Sequence, residues 1–236
     1  MTKEKAKYFP QTKDELRSLI KQRIEDEGNE VDLNDIDVSA ITDMSALFLW
    51  SDFNGDISGW DVSNVTNMRD MFSDCKKFNQ DVSAWDVSNV TDMSFMFDGC
   101  KSFNQDISKW NVSKVTDMSF MFEDCKSFNQ DLSKWDVSNV TGMRAMFDTC
   151  ICFDQDLSEW DVSNVLYMES MFLNCESFNQ DISKWDVSNV KYMTLMFYGC
   201  KKFNQDLSKW NVSNLTDMSF IFDKCPIKDE YKPKFK

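Results

Sequence analysis

A 25-residue period dominates this sequence and constrains its fold more than any other feature. Tryptophan recurs at that spacing, and a cysteine follows each of these tryptophans after fifteen residues. The tryptophans are Trp60, Trp85, Trp110, Trp135, Trp160, Trp185 and Trp210, and the cysteines are Cys75, Cys100, Cys125, Cys150, Cys175, Cys200 and Cys225. Such a period is typical of a solenoid, in which each repeat buries its apolar face only against its neighbours.

Two local patterns within one repeat predict its secondary structure. We number the places of a repeat from its tryptophan, which is place 1. An aliphatic residue at place 23, then Trp at place 1 and Val at place 3, match the L-x-x-L-x-L pattern of leucine-rich repeats and predict a short strand. Apolar residues at places 6, 9, 12 and 13 have helical spacing, and Gly, Asn or Asp at place 15 is suited to left-handed geometry where the helix would end.

We therefore predict an α/β repeat solenoid, leucine-rich-repeat-like, with one short strand and one short helical segment in each 25-residue coil. A parallel β-helix is the alternative architecture, because the helical pattern spans few residues. Stacking would bring the same place of successive coils to within about 5 Å of each other along the pairing direction.

The chain divides into three parts at the level of sequence. Residues 1–32 are predicted to be a tail and a capping helix, because Thr12 and Glu15 form a capping box and Gly28 follows an apolar stripe. Residues 33–225 are a predicted solenoid of about eight coils, the first of which has Ile36 in the Trp place. Residues 226–236 are a C-terminal cap or tail.

The repeat sequence resembles a known family. The segment WDVSNVTDMSFMFDGCKSFNQDIS, residues 85–108, is similar to the 25-residue lipoprotein-type repeat of BspA-like leucine-rich-repeat surface proteins. The similarity extends over residues 33–225, where Trp-Asp-Val-Ser-Asn-Val, Met-Phe-x-x-Cys and Phe-Asn-Gln-Asp occur together. The resemblance implies a solenoid that binds proteins or host surfaces without catalysis, and it implies no catalytic residues.

Charge and hydropathy exclude several classes of partner. The formal net charge of −14 repels phosphate backbones and anionic lipids, so we expect neither nucleic-acid nor membrane-surface binding. No stretch of 18 apolar residues predicts a membrane-spanning helix. The first residues lack the apolar core of a secretory signal, so the sequence as written predicts a cytoplasmic product, whereas the resemblance implies the cell surface or secretion.

The cysteine column has two interpretations. Stacked coils would place neighbouring thiols within disulfide reach. The column holds seven cysteines, an odd number, and their apolar place and the missing export signal also favour reduced, buried thiols, with the eighth, Cys152, as the exposed one. The chain has no histidine, and one thiol per coil does not make a tetrahedral site, so we predict no metal and no cofactor.

Aspartate occupies place 22 of every repeat, from Asp56 to Asp206. Like charges about 5 Å apart repel each other by roughly 1 kcal/mol in water, so the column must be solvated, hydrogen-bonded or neutralised. Capping of turns is the simpler hypothesis. The alternative is a Ca²⁺-stabilised structural repeat array.

Two surfaces are candidates for partner binding. The first is the exposed strand face, formed by place 2: Asp61, Asp86, Asn111, Asp136, Asp161, Asp186 and Asn211. The second is a set of Tyr and Leu residues at places that are mostly polar elsewhere, with one lysine: Leu166, Tyr167, Leu173, Lys191, Tyr192, Leu195 and Tyr198. Such a group on an acidic solenoid is typical of an interface anchor. Packing between adjacent coils is the competing interpretation.

The functional prediction is a non-enzymatic protein–protein interaction or adhesion module with an unidentified protein partner. Catalysis has little support, because the Asp–Ser pairs recur identically in each coil and no phosphate-binding loop occurs. The short C-terminal segment leaves the last coil thinly covered, so end-to-end self-association is a further expectation.

Overall fold

The computed structural model describes residues 6–235, and its main feature is a stack of turn-rich coils. The coils start at Ile36 and at the seven repeat tryptophans, and we number them 1 to 8 in chain order. A parallel bridge joins the place-8 residues of successive coils, from Asp43↔Asn67 to Tyr192↔Asp217. The predicted repeat architecture is therefore present.

Helix α1 (Lys13–Glu27) lies where the sequence predicts a capping helix. Thr12 is its N-cap, and the Thr12 side chain accepts the backbone N–H of Glu15 at 3.2 Å. Gly28 follows the helix with a φ of 92°, a conformation that favours glycine. Within residues 6–235, no helix is long and apolar enough to cross a membrane.

The two ends of the core are covered by different elements. At the N-terminal end, Ile20 of α1 is buried in the same apolar cluster as coil 1. At the other end, a short 3₁₀-helix (Asp229–Tyr231) follows the last coil. Ile227 is buried there, and Leu207 donates its N–H to the carbonyl of Tyr231 at 2.8 Å. Residues 226–235 therefore pack against the preceding coils.

The prediction of a short helix in each coil is wrong for the described residues. In coil 3 the chain forms successive tight turns, in which Met96, Asp98 and Cys100 each donate to the carbonyl three residues earlier. The reason is the backbone conformation at places 11 and 15, where Phe95 has a φ of 58° and Gly99 a φ of 70°. Left-handed residues at this spacing interrupt any right-handed helix.

Positive φ at places 11 and 15 recurs in all eight coils. The residue types at place 15 indicate left-handed geometry from sequence, and that expectation is confirmed even at Thr149, with a φ of 58°. Place 11 carries Phe, Ala, Leu, Ser or Asp and gives no such signal. A non-glycine residue in this conformation costs about 1–2 kcal/mol, so contacts between coils must hold it.

Those contacts are a backbone ladder between successive coils. Phe95 donates its N–H to Ser119 of the next coil at 2.9 Å, and Phe97 donates to Met121 at 3.0 Å. The same bonds form from places 9, 11, 13 and 15 of coils 1 to 7, always toward the following coil. We call places 7–15 the ladder segment.

The predicted strand is also wrong, because the Trp-x-Val segment takes no part in this ladder. Trp85 donates its backbone N–H to Val82 within its own turn, at 3.2 Å. Pairing between coils therefore lies on the segment for which the sequence predicts a helix. Stacked coils are common to the leucine-rich-repeat-like solenoid and the parallel β-helix, and the structure has them. The strand and the helix that the leucine-rich-repeat-like prediction assigns to each coil are both wrong.

Aromatic columns fill the interior of the stack. Phe97 and Phe103 stack within coil 3 at 4.0 Å between ring centroids, and Phe97 stacks on Phe122 of coil 4 at 5.8 Å. The Trp85 indole N–H donates to the carbonyl of Ile57 at 3.2 Å. A buried indole needs such an acceptor, and this explains how Trp replaces the leucine of the L-x-x-L-x-L pattern.

A column of asparagine side chains with one aspartate connects the return loops, at place 20 of coils 2 to 7 and at Asn54 of the shorter coil 1. The Asn104 side-chain carbonyl accepts the backbone N–H of Asn129 at 2.9 Å and the side-chain amide of Gln130 at 3.0 Å. The column consists of Asn54, Asn79, Asn104, Asn129, Asp154, Asn179 and Asn204. Each member therefore satisfies backbone of the next coil in a region without regular ladder bonds.

Candidate interaction surface

The place-2 column, predicted to line a strand face, lies on a row of capped turns instead. Asp86 accepts the backbone N–H of Ser88 at 3.0 Å, and Asn111 accepts that of Ser113 at 3.2 Å. The bonds from Ser88 lower the pKa of Asp86. The column remains exposed along the stack, but its polar groups are already engaged within their own turns.

The place-22 aspartates also cap turns. Asp106 accepts the N–H of Ser108 at 2.9 Å, and Asp131 accepts that of Ser133 at 2.8 Å. These bonds lower the pKa of both carboxyls. Turn capping is therefore confirmed for this column. Among residues 6–235, no three or more His, Cys, Asp or Glu side chains are grouped so that they could hold a metal ion.

The side chains that differ most between coils lie along the outside of the ladder segment. Places 9, 12, 13 and 16 are buried in coils 1 to 7 where they hold apolar residues, whereas most residues at places 7, 8, 10, 11 and 14 are half-buried or exposed. We call the surface formed by these five places the ladder face. Its composition changes along the stack, from acidic in coils 3 and 4 to aromatic in coils 6 and 7.

The aromatic part of the ladder face is centred on place 8. Asp117 occupies this place in coil 4, whereas Tyr167 and Tyr192 occupy it in coils 6 and 7. The two tyrosine rings stack at 5.8 Å, and the Arg144 guanidinium lies 4.0 Å from the Tyr167 ring centroid. Arg144 also donates to one carboxylate oxygen of Glu169 at 3.0 Å. The other oxygen is buried without a hydrogen-bond partner among the described residues.

The remaining members of the predicted set surround these tyrosines on the same face. Leu166 and Lys191 share place 7, where the Lys191 N–H bonds the Leu166 carbonyl at 3.0 Å. Leu173 and Tyr198 share place 14, and the Lys224 ammonium lies 4.8 Å from the Tyr198 ring centroid. Leu195, at place 11, is half-buried. Packing and exposure thus coexist here, since Tyr192 stacks on its neighbour yet keeps 36% of its surface exposed.

The acidic part of the ladder face contains carboxyls with altered acidity. Burial, followed by the charge of Asp98, raises the pKa of Glu123 to about 7. Burial likewise raises the pKa values of Asp98 and Asp148 to about 6. These three residues occupy place 14 in successive coils. Sequence reasoning did not single them out, although place 14 is the only ladder-face place with three consecutive acidic residues.

The cysteine column lies inside the stack. The Cys100 thiol donates to the carbonyl of Phe72 at 3.0 Å, and the same contact recurs from coil to coil. All eight cysteines are free, and Cys152 is the exposed one, as predicted. Burial raises the pKa of Cys75 to about 12, so that thiol is a poor nucleophile at neutral pH.

Two residues of the aromatic region were missed by the sequence interpretation. Arg144 is the cation on the Tyr167 ring, and Glu169 holds Arg144 in place. Both occupy place 10, which is Ser in four other coils. The sequence did contain a signal for this pair, since opposite charges occupy the same place in two consecutive repeats. Residues at the same place of adjacent coils are neighbours in a solenoid, so such charges can form an ion pair.

Comparison with known proteins gives one match. A model of the family described as "Mycoplasma protein of unknown function, DUF285" matches residues 15–135 and again residues 116–232. No curated protein and no solved structure matches this chain. The two matched segments together cover residues 15–232, which include most of α1 and all eight coils.

Proposed function

The chain belongs to this DUF285 family, and we propose that it is a non-enzymatic protein-binding module whose contact surface is the ladder face of coils 6 and 7. The observation that carries the proposal is the replacement of aspartate by Tyr167 and Tyr192 at place 8. In coil 4 the aspartate at this place, Asp117, accepts the N–H of Ser119 at 2.8 Å. Coils 6 and 7 lack that turn-capping carboxylate and have partly exposed rings instead.

The chemistry of this surface suits a protein partner. Stacked tyrosines provide a rigid apolar contact area with hydroxyl groups at its edge, and such residues dominate many protein interfaces. Arg144 stiffens the Tyr167 ring, so little conformational freedom would be lost on binding. A positively charged partner would also be favoured by the net charge of −14.

No catalytic role is part of this proposal. The Asp and Asn side chains at place 2 and the Asp side chains at place 22 are bonded within their own turns, as Asp86 is to Ser88 at 3.0 Å. The BspA-like resemblance supports a leucine-rich-repeat-type role in adhesion or host contact at the cell surface. Protease treatment of intact expressing cells would test that location, since removal of the chain without lysis supports it and full protection contradicts it.

The binding surface can be tested with variants that copy other coils. A Tyr167→Asp, Tyr192→Asp variant restores the residue that coils 3 and 4 have at place 8. The matched control, Phe95→Ser with Phe120→Ser, removes another stacked pair of the ladder face, with ring centroids 4.4 Å apart. Each immobilised protein is exposed to native and host lysates, and retained proteins are identified by mass spectrometry and then re-measured as purified partners.

The proposal predicts a purified partner whose affinity falls at least tenfold with the tyrosine variant and stays within twofold with the phenylalanine control. Equal binding to wild type and tyrosine variant would contradict the proposed surface. A tyrosine variant that melts well below the control would also contradict it, because the rings would then serve packing. Both melting curves are therefore recorded before the binding measurement.

A further inference from the structure

The ladder between coils has a direction, and this gives the stack two unlike ends. Every ladder bond from places 9, 11, 13 and 15 runs from an N–H to a carbonyl of the following coil. At these four places the last coil therefore presents N–H groups outward and the first coil presents carbonyls, whereas the single bond from place 7 runs toward the preceding coil. Aligned peptide dipoles reinforce this difference, as they do in a helix.

The end formed by coil 8 is a row of free donors with apolar side chains. Within residues 6–235, the N–H groups of Met218, Phe220, Phe222 and Lys224 have no backbone acceptor. Phe220 is 61% exposed and Met218 is 41% exposed, although the methionine at the same place is buried in the other coils. Asp217 adds a negative charge at this rim. We call this surface the donor end.

The end formed by coil 1 offers the complementary groups. The carbonyls of Leu47 and Leu49, at places 12 and 14, accept no hydrogen bond from residues 6–235. They border a groove of about 610 Å³ between coil 1 and α1, to which Ile24 contributes an apolar wall and Lys21 a cation. Trp50, next to the groove-lining residues in sequence, is 76% exposed. We call this surface the acceptor end.

We infer that the donor end of one chain docks on the acceptor end of a second copy, which makes a head-to-tail assembly. The ladder pattern supplies the register, because place 13 donates to place 12 and place 15 to place 14 between coils. Phe222 would donate to Leu47 and Lys224 to Leu49 of the second copy. The apolar rim with Phe220 meets the apolar groove and Trp50.

Other occupants fit these ends less well. Two donor ends facing each other would place N–H groups against N–H groups, which gives no hydrogen bonds. An ordinary β-strand presents alternating N–H and carbonyl groups along its edge, so half of its groups would face no partner. The side-chain charges give no preference, since Asp217 and Lys224 lie at the donor end while Arg17, Lys21 and Glu25 line the groove at the other, so the backbone groups decide the arrangement.

The repeat itself provides variants that should keep the fold. Phe220→Asp places at the donor end the residue that coil 2 has at place 11, Asp70. Trp50→Asp places at the acceptor end the residue that coils 2 and 4 have at place 15, Asp74 and Asp124. Both new residues suit positive φ better than the ones they replace. Phe95→Asp makes the place-11 change in the middle of the stack and serves as the control.

Sedimentation equilibrium of the full chain over a range of concentrations tests this assembly. Wild type and the Phe95→Asp control are expected to associate beyond dimer, whereas each end variant alone loses at least tenfold in association constant. An equimolar mixture of the two end variants should recover association but stop at dimer, since only one pair of intact ends remains. The inference is overturned if wild type stays monomeric, if either end variant associates with itself as wild type does, or if the mixture shows no dimer.

Discussion

The acidic part of the ladder face makes stability depend on pH in an unusual direction. The pKa of Glu123 is raised from 4.5 to about 7, mainly by burial and then by the charges of Asp98 and Asp148. A carboxyl whose pKa is higher in the folded chain binds its proton more tightly there. The stabilisation is therefore complete below the unfolded pKa of 4.5 and is lost as pH rises through about 7.

The neighbouring lysines do not remove this effect. Lys101 and Lys126 lie 3.2 and 3.3 Å from the Asp124 carboxylate, and neither forms an ion pair with Glu123. The difference between the ordinary pKa of 4.5 and the raised pKa of about 7 corresponds to at most about 3 kcal/mol in the free energy of unfolding. Solvent reaches part of this side chain and screens it, so we expect about 1 kcal/mol of destabilisation by the charged form at pH 8.

Substitution of Glu123 by glutamine removes the charge and keeps the shape. We expect Glu123→Gln to raise the melting temperature by about 2–4 °C at pH 8, because about 1 kcal/mol has that effect in a chain of this size. At pH 4 the native carboxyl is already protonated, and we expect no difference. Glu159→Gln, whose side chain is 74% exposed, is the control and should change little at either pH. An equal shift at both pH values, or a lower melting temperature at pH 8, would refute this reasoning.

The recurring contacts support three further predictions. Asn104→Ala should lower the unfolding free energy by about 1–3 kcal/mol, since the N–H of Asn129 loses its acceptor, whereas Asn104→Asp keeps that acceptor and should cost less. Excess chelator should leave the melting temperature unchanged; a fall of several degrees would instead support the Ca²⁺-stabilised array. Cys152 should react with a thiol reagent well before Cys100, which should react only on unfolding; equal rates would contradict the buried column.

The sequence is sufficient to predict the parts of this fold that depend on periodicity and on capping. The 25-residue spacing predicts stacked coils, and Thr12, Glu15 and Gly28 predict the helix observed as α1. These signals work because they are local or because they repeat exactly. The exposure of Cys152 follows in the same way, since it lies outside the repeated apolar places.

The course of the chain within a coil could not be predicted from the sequence. Apolar residues at places 9, 12 and 13 have helical spacing, yet a run of tight turns presents the same places to the core. The decisive feature is positive φ at place 11, where Phe95, Ala145 and Leu195 give no local sign of it. Ladder bonds between coils outweigh the local preference there, and such bonds exist only in the assembled stack.

The candidate surface, too, could be predicted from the sequence only in part. Its position in coils 6 and 7 follows from the departure of Tyr167 and Tyr192 from the repeat. The stacking of the two rings and the placement of Arg144 on Tyr167 required the ladder, because neighbouring places become contacts only once their register is known.

Scalar coupling across hydrogen bonds, measured by NMR, tests the ladder most directly. The structure predicts a correlation between the Phe95 amide nitrogen and the carbonyl carbon of Ser119, 24 residues further along the chain. A leucine-rich-repeat helix at the same place would instead connect Phe95 to Thr91, four residues earlier. The Ser119 correlation would establish pairing between coils on this segment, and the Thr91 correlation would contradict a fold built on stacked turns.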